Sequence, residues 1–213
     1  MSIGERLDAI LAQGRLIPVI TIEDAERAVP LAEAIVAAGV ATLEVALRTP
    51  AAFEAIRRIV REVPRAVVGA GTIRSPDDVR RAVDLGAKFA VSPGTTAKIY
   101  AACAAANLPL LPGVATASEI LTALEHGFEV VKFFPAVPAG GIPAIKALRG
   151  PFPTVRFCPT GGINEANFAE WLRLPGVVAI GGSWLAPDDK IRAGDWNGIT
   201  EIARRSMAQA RQS

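Results

Sequence analysis

The chain has 213 residues, 51% of them hydrophobic, and carries a formal net charge of only +2, which argues against a nucleic-acid partner or an anionic membrane surface. That length suits one domain with a sizeable core, here taken as residues 1–213, and no apolar run reaches the roughly 20 residues that span a bilayer. The start, Met1-Ser2-Ile3-Gly4-Glu5-Arg6-Leu7, has no signal-peptide pattern, and Cys103 and Cys158 make no disulfide framework, so a cytoplasmic location is expected.

Residues 2–13 read as an extra N-terminal helix capping one end of the domain. Apolar strand-like runs then alternate with helical patterns: strand 16–20, helix 23–38, strand 42–46, helix 51–62, strand 66–70 and helix 77–85. The alternation continues with strand 89–91, helix 97–106, strand 109–111, helix 117–125, strand 129–132 and helix 142–148. It closes with strand 155–158, helix 165–172, strand 178–180 and a helical tail from Asn197. Stop and start signals support several boundaries, among them Ser75-Pro76 before a helix and Gly39, Gly86 and Gly127 after one. Near-continuous apolar strands separated by helices imply a parallel sheet, and eight such units predict an α/β fold of the (β/α)8 TIM-barrel type.

Glycine- and proline-rich turns follow the strands rather than precede them, as in Gly69-Ala70-Gly71-Thr72, Ser92-Pro93-Gly94, Leu111-Pro112-Gly113, Thr160-Gly161-Gly162 and Gly181-Gly182-Ser183. That places a candidate ligand-binding rim at the C-terminal strand ends. The single histidine, His126, lies at the end of a helical pattern and reads as structural, which disfavours histidine metal sites and Ser-His or Cys-His nucleophiles.

Of the five lysines, Lys132 alone sits at the C-terminal end of a strand, among Val130, Val131, Phe133 and Phe134. Strand parity puts Val130, Lys132 and Phe134 on one face, and Glu44, Ala46 and Arg48 on one face of the second strand, opposite Leu43, Val45 and Leu47. With the aliphatic side chains against the helices, Glu44 and Lys132 both point inward from even-numbered strands. A structural ion pair is the plain interpretation; an amine nucleophile with a carboxylate for proton transfer is the functional one. Arg48 and Thr72 suit the carboxylate of a keto acid, with a surface or rim charge as the alternative for Arg48. Roughly 13 Å separates four extended residues, so Arg48 joins Glu44 on one ligand only if the chain bends after the strand, as Thr49-Pro50 allows. The Gly-Gly turns after the last two strands suit a phosphate.

Residues 39–48, 69–72, 156–162 and 181–184, with Lys132-Phe133-Phe134-Pro135-Ala136, resemble the 2-keto-3-deoxy-6-phosphogluconate (KDPG) aldolase family, which includes 4-hydroxy-2-oxoglutarate aldolase activity. The resemblance implies a metal- and cofactor-independent class I aldolase that forms homotrimers and acts on a small phosphorylated keto acid. It assigns Lys132 as the Schiff-base residue and Glu44 as proton acceptor and donor, with Arg48 and Thr72 on the pyruvyl carboxylate. Thr160 would face the reacting hydroxyl; Gly161, Gly162, Gly182 and Ser183 would cradle phosphate; Phe134 and Pro93 would shape the pocket. Ala46 stands where the family pattern has threonine. The expected reaction is reversible cleavage of KDPG to pyruvate and glyceraldehyde 3-phosphate, and of 4-hydroxy-2-oxoglutarate to pyruvate and glyoxylate. The alternatives are an aldolase for an epimeric or unphosphorylated 2-keto-3-deoxy acid, a phosphosugar isomerase and a non-catalytic phosphate-binding domain.

Overall fold

In the computed structural model, which describes residues 3–212, helix α1 (Ile3–Ala12) precedes an alternation of parallel strands and helices. The first half contains β1 (Leu16–Ile20), α2 (Ala28–Ala37), β2 (Thr42–Ala46), α3 (Ala52–Glu62), β3 (Val67–Gly71), α4 (Pro76–Asp84), β4 (Phe89–Val91), α5 (Ala97–Ala105) and β5 (Leu110–Leu111). The second contains β6 (Gly113–Val114), α6 (Ala117–Glu125), β7 (Val130–Phe133), α7 (Gly141–Arg149), β8 (Arg156–Pro159), α8 (Phe168–Leu172), β9 (Ile180–Gly182), α9 (Asp188–Ala193) and α10 (Trp196–Ala210).

Local chemistry accounts for these elements. Every residue of β1 and β2 is buried, as expected of strands covered on both faces. Helix α3 buries Ala52, Ala55, Ile56 and Ile59 at helical spacing and turns Arg57 and Arg61 to solvent. Helix α4 starts on Ser75, whose side chain accepts from the Asp78 N–H, with Pro76 in the first turn. Helix α6 starts on a reciprocal Thr116–Glu119 capping box and ends at His126, whose ring stacks on Tyr100 at 4.3 Å. The helix starting at residue 23 in the sequence is here a 3-10 turn at Ala25–Arg27 followed by α2, because Asp24 caps the turn through the Glu26 N–H.

The expected closed (β/α)8 barrel is not what the hydrogen bonds form. The strands make two parallel sheets, one of six strands in the order β5-β4-β3-β2-β1-β9 and one of three in the order β6-β7-β8. The division at one side falls on Pro112, which has no N–H and separates β5, paired with β4, from β6, paired with β7. At the other side, isolated bridges at Phe157–Val177 and Thr160–Gly181 replace a regular ladder between β8 and β9. The turn expected at Leu111-Pro112-Gly113 is therefore the point where one continuous segment passes from one sheet to the other, and α9 is an additional helix.

The main core lies between the strands and the outer helices. A second apolar cluster, on the inner side, joins Leu7, Ile10 and Leu11 of α1 to Ile17, Phe89, Val91, Leu111, Val130, Cys158 and Ala179. The N-terminal helix thus covers this inner cluster, tied by a bidentate Arg156–Asp8 pair at 2.8 and 3.1 Å and by the Thr42 hydroxyl donating to the Ile10 carbonyl. Among the described residues no helix is long and apolar enough to cross a membrane.

Candidate active site

Lys132, in the central strand of the three-stranded sheet, and Glu44, on β2 of the six-stranded sheet, meet between the two. Lys132 Nζ donates to Glu44 Oε1 at 3.0 Å and Oε2 at 3.2 Å. The side chains are only 5% and 3% exposed, so each charge has lost nearly all of its water and has the other as its compensation. Parity explains the encounter: Lys132 is aligned with Gly113 on one side and Cys158 on the other, and Glu44 with Val19 and Gly69. Burial pushes the neighbouring Cys158 thiol up to about 12, against a smaller downward pull from the Lys132 ammonium. A thiol so held is a neutral packing group.

The chain bends directly after Ala46. Leu47 and Arg48 form a turn, with the Leu47 N–H donating to the Gly71 carbonyl, and Arg48 Nε reaches Thr72 Oγ1 at 3.3 Å. The bend begins two residues before Thr49-Pro50, and it brings Arg48 and Thr72 together. Thr72 has φ +61°, a left-handed conformation that β-branched residues rarely adopt. Its backbone is locked between β3 and the Ile73 N–H, which donates to the Val91 carbonyl at 3.0 Å.

An open cleft of about 220 Å³ at the C-terminal strand ends is lined by Arg48, Phe134, Thr160, Gly161, Gly162, Gly182 and Ser183. Gly161 (φ +105°) and Gly162 (φ +80°) take left-handed conformations that the tight loop after β8 requires. Thr160 is buried, and its Oγ1, which has no oxygen or nitrogen hydrogen-bond partner among the described residues, lies beside the Cys158 thiol. Lys132 and Glu44 do not line this cleft; Phe134 connects them to it, its ring centroid 5.5 Å from Lys132 Nζ. Pro93 does not line it either: its backbone lies where a Gly113 side chain would be, across the ladder from Lys132. Thr21, Val19, Ile163, Gly181 and Asp188 complete the cleft and are absent from the sequence-based candidates. Gly181 belonged to a recognised turn. Thr21 directly follows β1, the signal that would have found it, whereas Asp188 sits on a helix the periodicity did not reveal. A larger hollow of about 470 Å³ beside α1, lined by Asp8, Leu11, Ala12, Arg15, Arg156, Val177 and Val178, holds none of the candidate residues.

Among the described residues, no group of three or more His, Cys, Asp or Glu side chains could hold a metal ion. The arrangement is an amine and a carboxylate in dry contact, adjoined by a cleft with an arginine, hydroxyls and glycine turns.

The chain is similar to known proteins along nearly its whole length. Residues 7–202 match the family model described as KDPG and KHG aldolase. The KHG/KDPG aldolase of Escherichia coli (strain K12) is 47% identical over 204 residues, 96% of either chain. The 2-dehydro-3-deoxy-phosphogluconate aldolase of Pseudoalteromonas atlantica is 47% identical over 94% of either chain. A crystal structure of KDPG aldolase from Legionella pneumophila, with pyruvate captured at low pH as a covalent carbinolamine intermediate, is similar at a TM-score of 0.92 and 46% identity, covering 94% of this chain and 97% of that one. The 2-keto-3-deoxy-6-phosphogluconate aldolase of Zymomonas mobilis ZM4, solved with 3-phosphoglycerate, is similar at a TM-score of 0.92 and 43% identity over 96% of both chains.

Proposed function

The chain belongs to the KDPG and KHG aldolase family, and we propose that it cleaves 2-keto-3-deoxy-6-phosphogluconate reversibly to pyruvate and glyceraldehyde 3-phosphate through a Schiff base on Lys132. It also cleaves 4-hydroxy-2-oxoglutarate to pyruvate and glyoxylate in this reading. The observation that carries the proposal is the buried Lys132–Glu44 contact at 3.0 Å. The contact gives the ammonium proton a route to the carboxylate, and the freed amine adds to the C2 ketone. Glu44 returns a proton to the departing hydroxyl, and loss of water leaves an iminium. Glu44 then takes the C4 hydroxyl proton as the C3–C4 electron pair moves into the iminium. The aldehyde leaves, C3 of the enamine is reprotonated, and water releases pyruvate and the amine.

The remaining residues receive complementary roles. Arg48 and Thr72 hold the substrate carboxylate, the hydroxyl of Thr160 meets the C4 oxygen, and Phe134 and Pro93 confine the chain of the substrate. Gly161, Gly162, Gly182 and Ser183 enclose the phosphate, with backbone close enough to approach an anion because glycine has no side chain in the way. The working unit is a single domain over residues 1–213, acting in the cytoplasm as a homotrimer and without a cofactor.

Incubation with pyruvate and borohydride, followed by peptide mass mapping, tests the mechanism. A pyruvyl adduct on Lys132, absent in Lys132→Ala, is the expected result. Adduct formation at another lysine, or undiminished cleavage by Lys132→Ala, would refute it. Measuring cleavage of the phosphorylated and unphosphorylated keto acids side by side tests the assignment of the glycine turns.

A further inference from the structure

Two successive inward positions of β3 are glycine, and a different neighbour occupies the missing side-chain space at each. A Cβ at Gly69 would lie 2.3 Å from the Phe89 ring. A Cβ at Gly71 would lie 2.4, 2.6 and 2.8 Å from Oε1, Cγ and Cδ of Glu44. Neither glycine has a positive φ, so backbone conformation does not require glycine at these positions. The requirement is room.

The β2–β3 register shows how that room is used. Glu44 is aligned with Gly69, and Ala46 with Gly71. The Glu44 side chain therefore starts beside Gly69 and runs one same-face step, roughly 7 Å, toward the C-terminal strand end. Its carboxylate comes to lie over Gly71. Both of its side-chain hydrogen bonds among the described residues go to Lys132, so no third group would hold the carboxylate if it were pushed aside.

We infer that Gly71 is a positioning residue for Glu44: the side chain it lacks is the niche that sets the carboxylate against Lys132. This rests on the proton-transfer role proposed above for Glu44. A methyl group at 71 displaces the flexible end of Glu44 rather than rigid backbone, so the chain keeps its fold while the pair loses its geometry. The Lys132 amine remains in place and adds to a ketone more slowly, its proton passing to water instead of to Glu44. Proton transfers at C3 and C4 of the substrate lose their base.

The test is exchange of the pyruvate methyl protons with deuterium oxide, followed by NMR in Gly71→Ala. This partial reaction moves one proton from C3 of the iminium to Glu44, forming the enamine, and returns a deuteron from solvent to C3. The expected result is a fall in exchange of about 100-fold or more, approaching that of Glu44→Gln, with Lys132 still trapped by pyruvate and borohydride after long incubation. Exchange at the parent rate in Gly71→Ala, where Glu44→Gln is slow, overturns the positioning role alone. Parent-rate exchange in Glu44→Gln overturns the role of Glu44, and the positioning claim with it. A stability cycle covers the case of a poorly folded variant. Adding Gly71→Ala to Glu44→Ala should leave the melting temperature unchanged, since the niche is then empty; a further drop on that background overturns the proposal.

Discussion

Thr72→Asn should make the protein more stable and less able to bind pyruvate. The threonine is held at φ +61°, and a β-branched residue in a sparsely populated backbone region carries about 1–3 kcal/mol of strain. Asparagine tolerates the left-handed region far better. The substitution gives up the Arg48 Nε to Thr72 Oγ1 hydrogen bond, which at 3.3 Å between a half-buried residue and an exposed one contributes no more than about 0.5 kcal/mol. The balance is a gain of about 1 kcal/mol, read as a rise of roughly 2–4 °C in melting temperature for a chain of this size. Function moves the other way. The longer amide does not put a donor where the hydroxyl oxygen sat, and one lost hydrogen bond to a carboxylate costs about 1.5–3 kcal/mol, or roughly a 10- to 100-fold higher KM. Thermal denaturation and steady-state cleavage assays measure the two effects separately. Thr72→Ser, which keeps the oxygen, should retain a KM near the parent value. A lower melting temperature in Thr72→Asn would refute the strain argument, and an unchanged KM would refute the role of Thr72 at the carboxylate.

Removing one partner of the buried pair should be costly. Glu44→Ala leaves Lys132 uncompensated at 5% side-chain exposure and should lower stability by about 3–5 kcal/mol, whereas Glu44→Leu combined with Lys132→Met should recover most of that loss in denaturant titrations. A single variant as stable as the parent would show that water reaches the amine. High pH should weaken the fold. Burial holds the Cys103 and Cys158 thiols at about 12, against 9.0 for an unburied thiol, so above pH 9 the unfolded chain releases protons that the folded chain retains. The stability contributed by these neutral thiols is complete below pH 9 and declines as pH rises toward 12. Cys103→Ala with Cys158→Ala should flatten that decline in unfolding curves taken across the same window, and an equally steep decline without the thiols would remove them as its cause.

The pair was legible in the sequence because strand parity is insensitive to how the strands are joined. Leu43, Val45 and Leu47 must face the helices, which turns Glu44 inward whichever strands are its neighbours. The same reasoning applied to Val131 and Phe133 turns Lys132 inward. The closed (β/α)8 barrel expected from eight units was wrong, and whether the strands close was not legible in this way. It depends on hydrogen bonding between strands far apart in sequence, and one proline, Pro112, diverts the segment 110–114 from one sheet to the other. Asp188 escaped notice for a related reason: α9 is six residues long, too short for a helical period to stand out.

The break between the sheets and the position of the cleft are connected. Glu44 in the six-stranded sheet and Lys132 in the three-stranded one are both on interior strands, so their ion pair links the two sheets away from the break. Thr160 and Gly181 meet at an isolated bridge between the same two sheets, and a Cβ at Gly181 would lie 2.3 Å from Thr160 Oγ1. Irregular pairing releases side chains from the strict inward and outward alternation of a continuous ladder and leaves backbone near the cleft unpaired by strands. Thr160 and the glycine turns after β8 and β9 therefore collect at the interruption, whereas Lys132 and Glu44 project from interior strands, and the uninterrupted run from β1 to β4 supplies the rigid support for Glu44. A close-packed ladder is a poor place for a ligand, because each strand already occupies its neighbour's polar groups. Space for a ligand arises where that pairing stops, and the cleft lined by Thr160, Gly161, Gly162, Gly181 and Gly182 lies there.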